Sequence, residues 1–110
     1  MMNESDFRRY ADEAMDSVDA AFDEVDPDLA EADRSQGALV ITFRQSHKLI
    51  LSPQAPLRQL WLAFRDQAWH FGRDERAGRW LDDRGHGVEL LALIAQLASQ
   101  QAGVSLPGLG

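Results

Sequence analysis

Phe7, Ala11, Ala14, Met15, Val18, Phe22 and Val25 recur at spacings of three and four, the period of a helix that lays one face on a core. Asn3 stands where an N-cap belongs, with Glu4 and Asp6 in the first turn, where the helix dipole favours acid. The predicted end is Asp26-Pro27, because the residue before proline is pushed out of the helical region. Beyond it the period shortens. Residues 29–33 alternate weakly and predict a short strand. Gly37 then leads into Ala38–Phe43, with Leu39, Ile41 and Phe43 on one face, and Gln45-Ser46 offers a turn into residues 47–51; the two runs predict a hairpin. Pro53 and Pro56 bracket a predicted loop, and further strands are expected at 57–64, 68–71 and Arg79–Asp82, separated by polar segments. Val88, Leu90, Leu91, Leu93, Ile94, Leu97 and Ala98 define a second apolar helix, with Gly103 where a C-cap belongs. The remainder, 104–110, contains Gly and Pro and is expected to be a mobile tail.

Helix, several strands, helix is an α+β order. It predicts a two-layer α-β sandwich, with the N- and C-terminal helices on one face of a five- to six-stranded antiparallel sheet and the other face left to solvent or a partner. At 110 residues the chain is expected to be one domain, 1–110, with 103–110 as its loose end.

Charge changes this picture at one end only. The net charge is −7, but residues 1–33 carry 12 acids against Arg8 and Arg9, a net of −10, while 34–110 carry six acids against nine bases, a net of +3. Such a field repels phosphate backbones and anionic lipid, so neither nucleic acid nor membrane is an expected partner; cations and basic protein surfaces are. The absence of cysteine excludes disulfides, thiolate metal sites and cysteine nucleophiles. No apolar leader and no membrane-length apolar run are read, which makes the cytoplasm the expected location.

The acid is ordered. Asp12, Asp16, Asp19, Asp23 and Asp26 follow one another at spacings of four, three, four and three, so successive carboxylates are neighbours along the edge of the apolar face. Each like-charge pair costs roughly 0.2–0.5 kcal/mol, and the acids nearest the helix C-terminus also oppose its dipole. Three uses remain open at this point: a merely solvated face, a site where neighbouring carboxylates share a hard cation such as iron, manganese, calcium or magnesium, and a docking strip for a basic protein surface. A convex helix offers two or three ligands per ion, so cation affinity is expected to be modest.

Strand alternation puts Leu60, Leu62 and Phe64 on the core face and Gln59, Trp61 and Ala63 on the face that the helices leave bare. Trp61 there is read either as partly covered by cross-strand neighbours or as a protein-binding anchor. Trp69 and Trp80 are expected to pack within the fold or along its rim. His47, His70 and His86 do not cluster by spacing; His47 reads as a hairpin residue, His70 as a strand residue opposite Trp69 and Phe71, and His86 as a loop residue. No nucleophile elbow and no phosphate-cradling glycine motif is present, and the arginines of the later half look scattered. No enzymatic activity is expected.

After the acidic helix, Leu39-Val40-Ile41-Thr42-Phe43, Lys48-Leu49-Ile50-Leu51, Gln54-Ala55-Pro56-Leu57-Arg58-Gln59-Leu60-Trp61-Leu62-Ala63 and Trp69-His70-Phe71 closely resemble bacterial frataxins of the CyaY type, from about Met2 to Gly103. The most specific element is Pro56-x-x-Gln59-x-Trp61-Leu62-Ala63. The resemblance implies the same α-β sandwich and a role in iron–sulfur cluster assembly. It implies weak binding of ferrous and ferric iron on an acidic ridge, and docking to the cysteine desulfurase and its scaffold machinery. By position the ridge maps to Asp19, Asp23, Glu24, Asp26 and Asp28, continuing toward Glu31 and Asp33, with Gln59 and Trp61 as the sheet-side contact; Asp16 of the aspartate stripe joins the expected iron ligands. A monomer is expected, with iron-dependent oligomers as an option. An iron-oxidising storage protein and a purely acidic adaptor with incidental metal binding are the alternatives. Ala20 and Ala21 stand where the family ridge is often acidic or polar, and Ser52-Pro53 replaces a commoner Asn-Arg pair.

Overall fold

The computed structural model describes residues 2–109; Met1 and Gly110, the two ends of the expected 1–110 domain, lie outside the described residues. Helix α1 (Glu4–Phe22) precedes strands β1 (Ala30–Ser35), β2 (Ala38–Phe43), β3 (Lys48–Gln54), β4 (Gln59–Phe64), β5 (Gln67–Asp74) and β6 (Arg79–Asp82), and helix α2 (Leu90–Ala102) closes the order. The strands form one antiparallel sheet in sequence order, a six-stranded meander. Both helices contribute to the core on the same sheet face. Phe7, Met15 and Val18 of α1 and Leu90, Ile94 and Ala98 of α2 are buried with Leu39, Ile41, Leu49, Leu51, Leu60, Leu62 and Phe71 of the sheet. The Phe7 ring meets Trp80 edge to face at 5.9 Å, while Trp69 is half-buried at the rim, as the sequence suggested for both tryptophans.

Local chemistry explains the ends of these elements. The Asn3 side chain accepts from the backbone N–H of Asp6 at 2.8 Å, so the predicted cap is formed. Helix α1 stops at Phe22 with Asp23 as its C-cap, earlier than the proline implied. Glu24 and Asp26 continue the acid into the disfavoured C-terminal end, and the chain leaves the helix before Pro27 forces it to. Gly103 caps α2 at φ 65°, as expected, and Glu89 caps its start by accepting from the N–H groups of Leu91 and Ala92.

Four other expectations are corrected. The weak strand at 29–33 is a full edge strand extending to Ser35, joined to β2 through Gln36 and Gly37, both at positive φ, the two-residue hairpin turn that Gly favours. Pro53 does not bound a loop. It lies in β3 opposite Leu60, beyond the last β2 pair Leu39–Leu51, where the strand is paired on one side only and proline is tolerated. The strand expected from residue 57 starts only at Gln59: Leu57 closes a 3₁₀ turn over Ala55–Leu57, and Arg58 at φ 53° turns the chain into β4. Residues 104–109 are not loose: Val104, Leu106 and Leu109 are buried, and Pro107–Leu109 forms a further 3₁₀ turn. Three apolar side chains in a Gly- and Pro-containing segment outweigh its turn-like composition.

Candidate functional site

The carboxylates of α1 occupy the helix edge beside β1. Asp16 and Asp19 do not stand free there. Arg34 projects from the helix side of β1, placing Nη2 2.7 Å from Asp16 Oδ1 and Nε 3.4 Å from Asp19 Oδ2. The expected row of repulsion is therefore relieved at two of its five aspartates by a cation of the same chain. The pairs are exposed enough, 74% for the Asp16 side chain, that solvent still screens them.

Past the helix, the acid belongs to a turn. Asp23, Glu24, Asp26 and Asp28 are exposed and, among the described residues, have no basic side chain within 4 Å. Asp26 Oδ1 accepts from the N–H of Asp28 at 2.9 Å, and its carbonyl accepts from Leu29 at 2.8 Å, so this turn is ordered by its own aspartate. Glu31 and Asp33 leave the ridge. In β1 they alternate with Ala30, Ala32 and Arg34 and lie opposite Thr42 and Val40, on the helix-free face. The described residues hold no group of three or more Asp, Glu or His side chains placed to hold one metal ion. The ridge thus presents carboxylate oxygens singly or in pairs, with water to complete any cation's shell.

The helix-free face carries the second set of predicted residues. Trp61 is there, as alternation requires, but half-buried. His70 of the neighbouring strand stacks on it, with ring centroids 4.2 Å apart and planes 14° from parallel. Its indole Nε1 donates to Gln59 Oε1 at 2.9 Å, Gln59 Nε2 donates to Asp83 Oδ2 at 3.4 Å, and His70 Nδ1 lies 3.6 Å from the same oxygen. Gln59, Trp61, His70 and Asp83 form one network that fixes the orientation of the indole. Strand alternation placed His70 on this face; its pairing with Trp61 depends on register and was missed. His47 flanks β3, with Nδ1 2.9 Å from Gln101 Oε1 of α2, a tie between sheet and helix.

Two helices on one face of an antiparallel meander, an acidic helix edge and a braced tryptophan on the bare face define a two-layer α-β sandwich whose chemistry is on its outer surface. Comparison gives that class a family. The frataxin-like domain model matches residues 1–104. The iron–sulfur cluster assembly protein CyaY of Pseudomonas aeruginosa is 41% identical over 110 residues, covering 98% of this chain and all of the relative. Among solved structures, the frataxin of Psychromonas ingrahamii superposes with a TM-score of 0.87 at 28% identity, covering 97% of this chain and 98% of its own. Trimeric frataxin from the yeast Saccharomyces cerevisiae, complexed with ferrous iron, gives a TM-score of 0.73 over 86% of this chain and 87% of its own. At 20% identity that last likeness concerns the fold alone. The chain belongs to the frataxin family, among the CyaY iron–sulfur cluster assembly proteins.

Proposed function

We propose that the chain is an iron-binding regulator or iron donor of iron–sulfur cluster assembly, carrying iron as cargo on its acidic edge and docking to the cysteine desulfurase. The observation that carries this is a near-complete match to CyaY relatives combined with a carboxylate ridge on the helix edge and following turn. Carboxylate-only ligands suit a hard cation, and open, water-completed sites suit an ion that must be released. Of the ridge, Asp23, Glu24, Asp26 and Asp28 are the better iron ligands. Asp16 and Asp19 must first part from Arg34. The desulfurase would meet Asp19, Asp23 and the braced pair Gln59 and Trp61, with Glu31 and Asp33 joining from the sheet edge.

The test is desulfurase turnover with and without the chain at fixed ferrous iron concentrations under anaerobic conditions. A change in turnover that depends on iron and is lost on replacing Asp23, Asp26 and Asp28 with Asn supports the proposal; turnover indifferent to the chain sinks it. A second reading, an acidic adaptor whose metal binding is incidental, is favoured by the Arg34 pairing and by the lack of a three-ligand cluster among the described residues. It requires metal-free desulfurase capture that is lost at high salt or with Trp61→Arg. Oxygen-dependent ferric formation faster than in buffer, within a defined oligomer, would instead mark an iron-storage activity.

A further inference from the structure

On the helix-free face, the histidine that covers Trp61 also faces a carboxylate. Strand register pairs Phe71 of β5 with Asp82 of β6, so the residues one step further along, His70 and Asp83, stand opposite each other. The Asp83 N–H donates to the His70 carbonyl at 2.9 Å, which keeps the two backbones at cross-strand distance. Their side chains turn to the same face. His70 Nδ1 and Asp83 Oδ2 then lie 3.6 Å apart, too far for a hydrogen bond. The gap matches another use. With metal–nitrogen and metal–oxygen bonds of about 2.0–2.2 Å, an ion held by both atoms would see them at an angle of about 120°, close to what four- and five-coordinate ions adopt.

Both groups are reachable and already oriented. The two side chains are 42% and 45% exposed. Stacking on Trp61 at 4.2 Å and 14° sets the plane of the imidazole. Gln59 steadies the carboxylate, donating from Nε2 to Asp83 Oδ2 at 3.4 Å while its Oε1 accepts the Trp61 indole N–H at 2.9 Å. Partners of this kind fix the ligands of metal sites before the ion arrives. Among the described residues, no lysine or arginine comes within 4 Å of the Asp83 carboxylate. Arg84, the next residue, is drawn instead to the Ala68 carbonyl.

We propose that His70 Nδ1 and Asp83 Oδ2 form an open, two-ligand site for a divalent transition-metal ion of the zinc type, with water filling its other positions. The imidazole nitrogen decides the class: it suits zinc, iron, copper or nickel, whereas magnesium and calcium take oxygen ligands. Two protein ligands make the ion exchangeable. The site lies on the sheet, apart from the all-oxygen ridge, and does not depend on the iron proposal.

The experiment is titration of the metal-free chain with Zn²⁺ in the presence of excess Mg²⁺, which competes for oxygen-only sites, followed by calorimetry and by NMR of the imidazole and indole protons. Saturable binding at this site is expected, with the His70 ring and Trp61 indole signals of the unaltered chain moving together as it fills. His70→Gln and Asp83→Asn should each weaken binding by about tenfold or more, since even partners that only orient a ligand are worth that much. Both side chains are on the surface, so neither change threatens the core. The variant with Asp23, Asp26 and Asp28 replaced by Asn should bind Zn²⁺ here as the parent does. No saturable binding, His70 and Trp61 signals that ignore Zn²⁺, or undiminished affinity in His70→Gln overturns the proposal.

Discussion

At the scale of single residues, the acidic ridge divides into carboxylates with opposite roles. Asp19 is paired with Arg34, and Asp23 caps the C-terminal end of α1, where the dipole disfavours a negative charge. The two Asp→Asn changes should therefore differ in sign. Asp23→Asn is expected to raise the unfolding free energy by about 0.3–1 kcal/mol by relieving the dipole and the neighbouring acids. Asp19→Asn should lower it or leave it unchanged, because a solvent-screened pair is worth roughly 0.2–1 kcal/mol. In an Arg34→Ala background Asp19→Asn should become stabilising. Urea denaturation of the five chains measures this directly, and a uniform gain for both Asn variants would mean that Arg34 contributes nothing. The charge stripe was legible from the spacing of its aspartates alone. Arg34 was not, since it stands 15 and 18 residues from its partners and meets them only through the docking of β1 against α1. Trp61 shows the same division: alternation predicted its face, whereas its cover by His70 follows from the β4–β5 register.

At the scale of elements, legibility followed the amount of apolar surface each segment buries. Strand β2 announces itself because Leu39, Ile41 and Phe43 are all buried and alternate with half-buried residues. Strand β1 has mainly Ala30 and Ala32 to turn inward, so its pattern is faint, and the Gln36-Gly37 turn is the stronger signal. The segment after α2 misleads in the opposite direction, since its Gly and Pro suggest a tail while Val104, Leu106 and Leu109 are buried. Truncation after Gly103 should then be costly. At about 1.5–3 kcal/mol per fully buried apolar side chain, three such losses approach the whole ~5–15 kcal/mol stability of a domain. The truncated chain is expected to show a much lower urea midpoint or no cooperative transition; a midpoint equal to that of the full chain would return the segment to the status of a tail. Gly103 itself holds φ 65°, so Gly103→Ala should cost about 1 kcal/mol by forcing a Cβ into the left-handed region, measurable in the same denaturation series.

At the scale of the whole molecule, charge is segregated: residues 1–33 carry a net of −10 and the remainder +3. A general field and a specific cation site make different demands on an experiment. Screening by NaCl acts on every exposed pair and, where like charges dominate, should raise the melting temperature modestly, by less in a variant with fewer acidic charges. Ferrous iron held as proposed by Asp23, Glu24, Asp26 and Asp28 would stabilise the folded state by mass action as well, and so should raise the melting temperature beyond NaCl of equal ionic strength, in proportion to occupancy. The triple variant Asp23→Asn, Asp26→Asn, Asp28→Asn separates the two effects. Asparagine retains an acceptor oxygen, so position 26 can still take the N–H of residue 28 and the turn is preserved. That variant should melt higher than the parent without metal, show a smaller response to NaCl and lose its response to iron beyond that of NaCl. If it melts lower, the turn carboxylates are not under repulsion; if iron stabilises it as much as it does the parent, the cargo site lies elsewhere, with Asp16 and Asp19 after displacement of Arg34 as the next place to look.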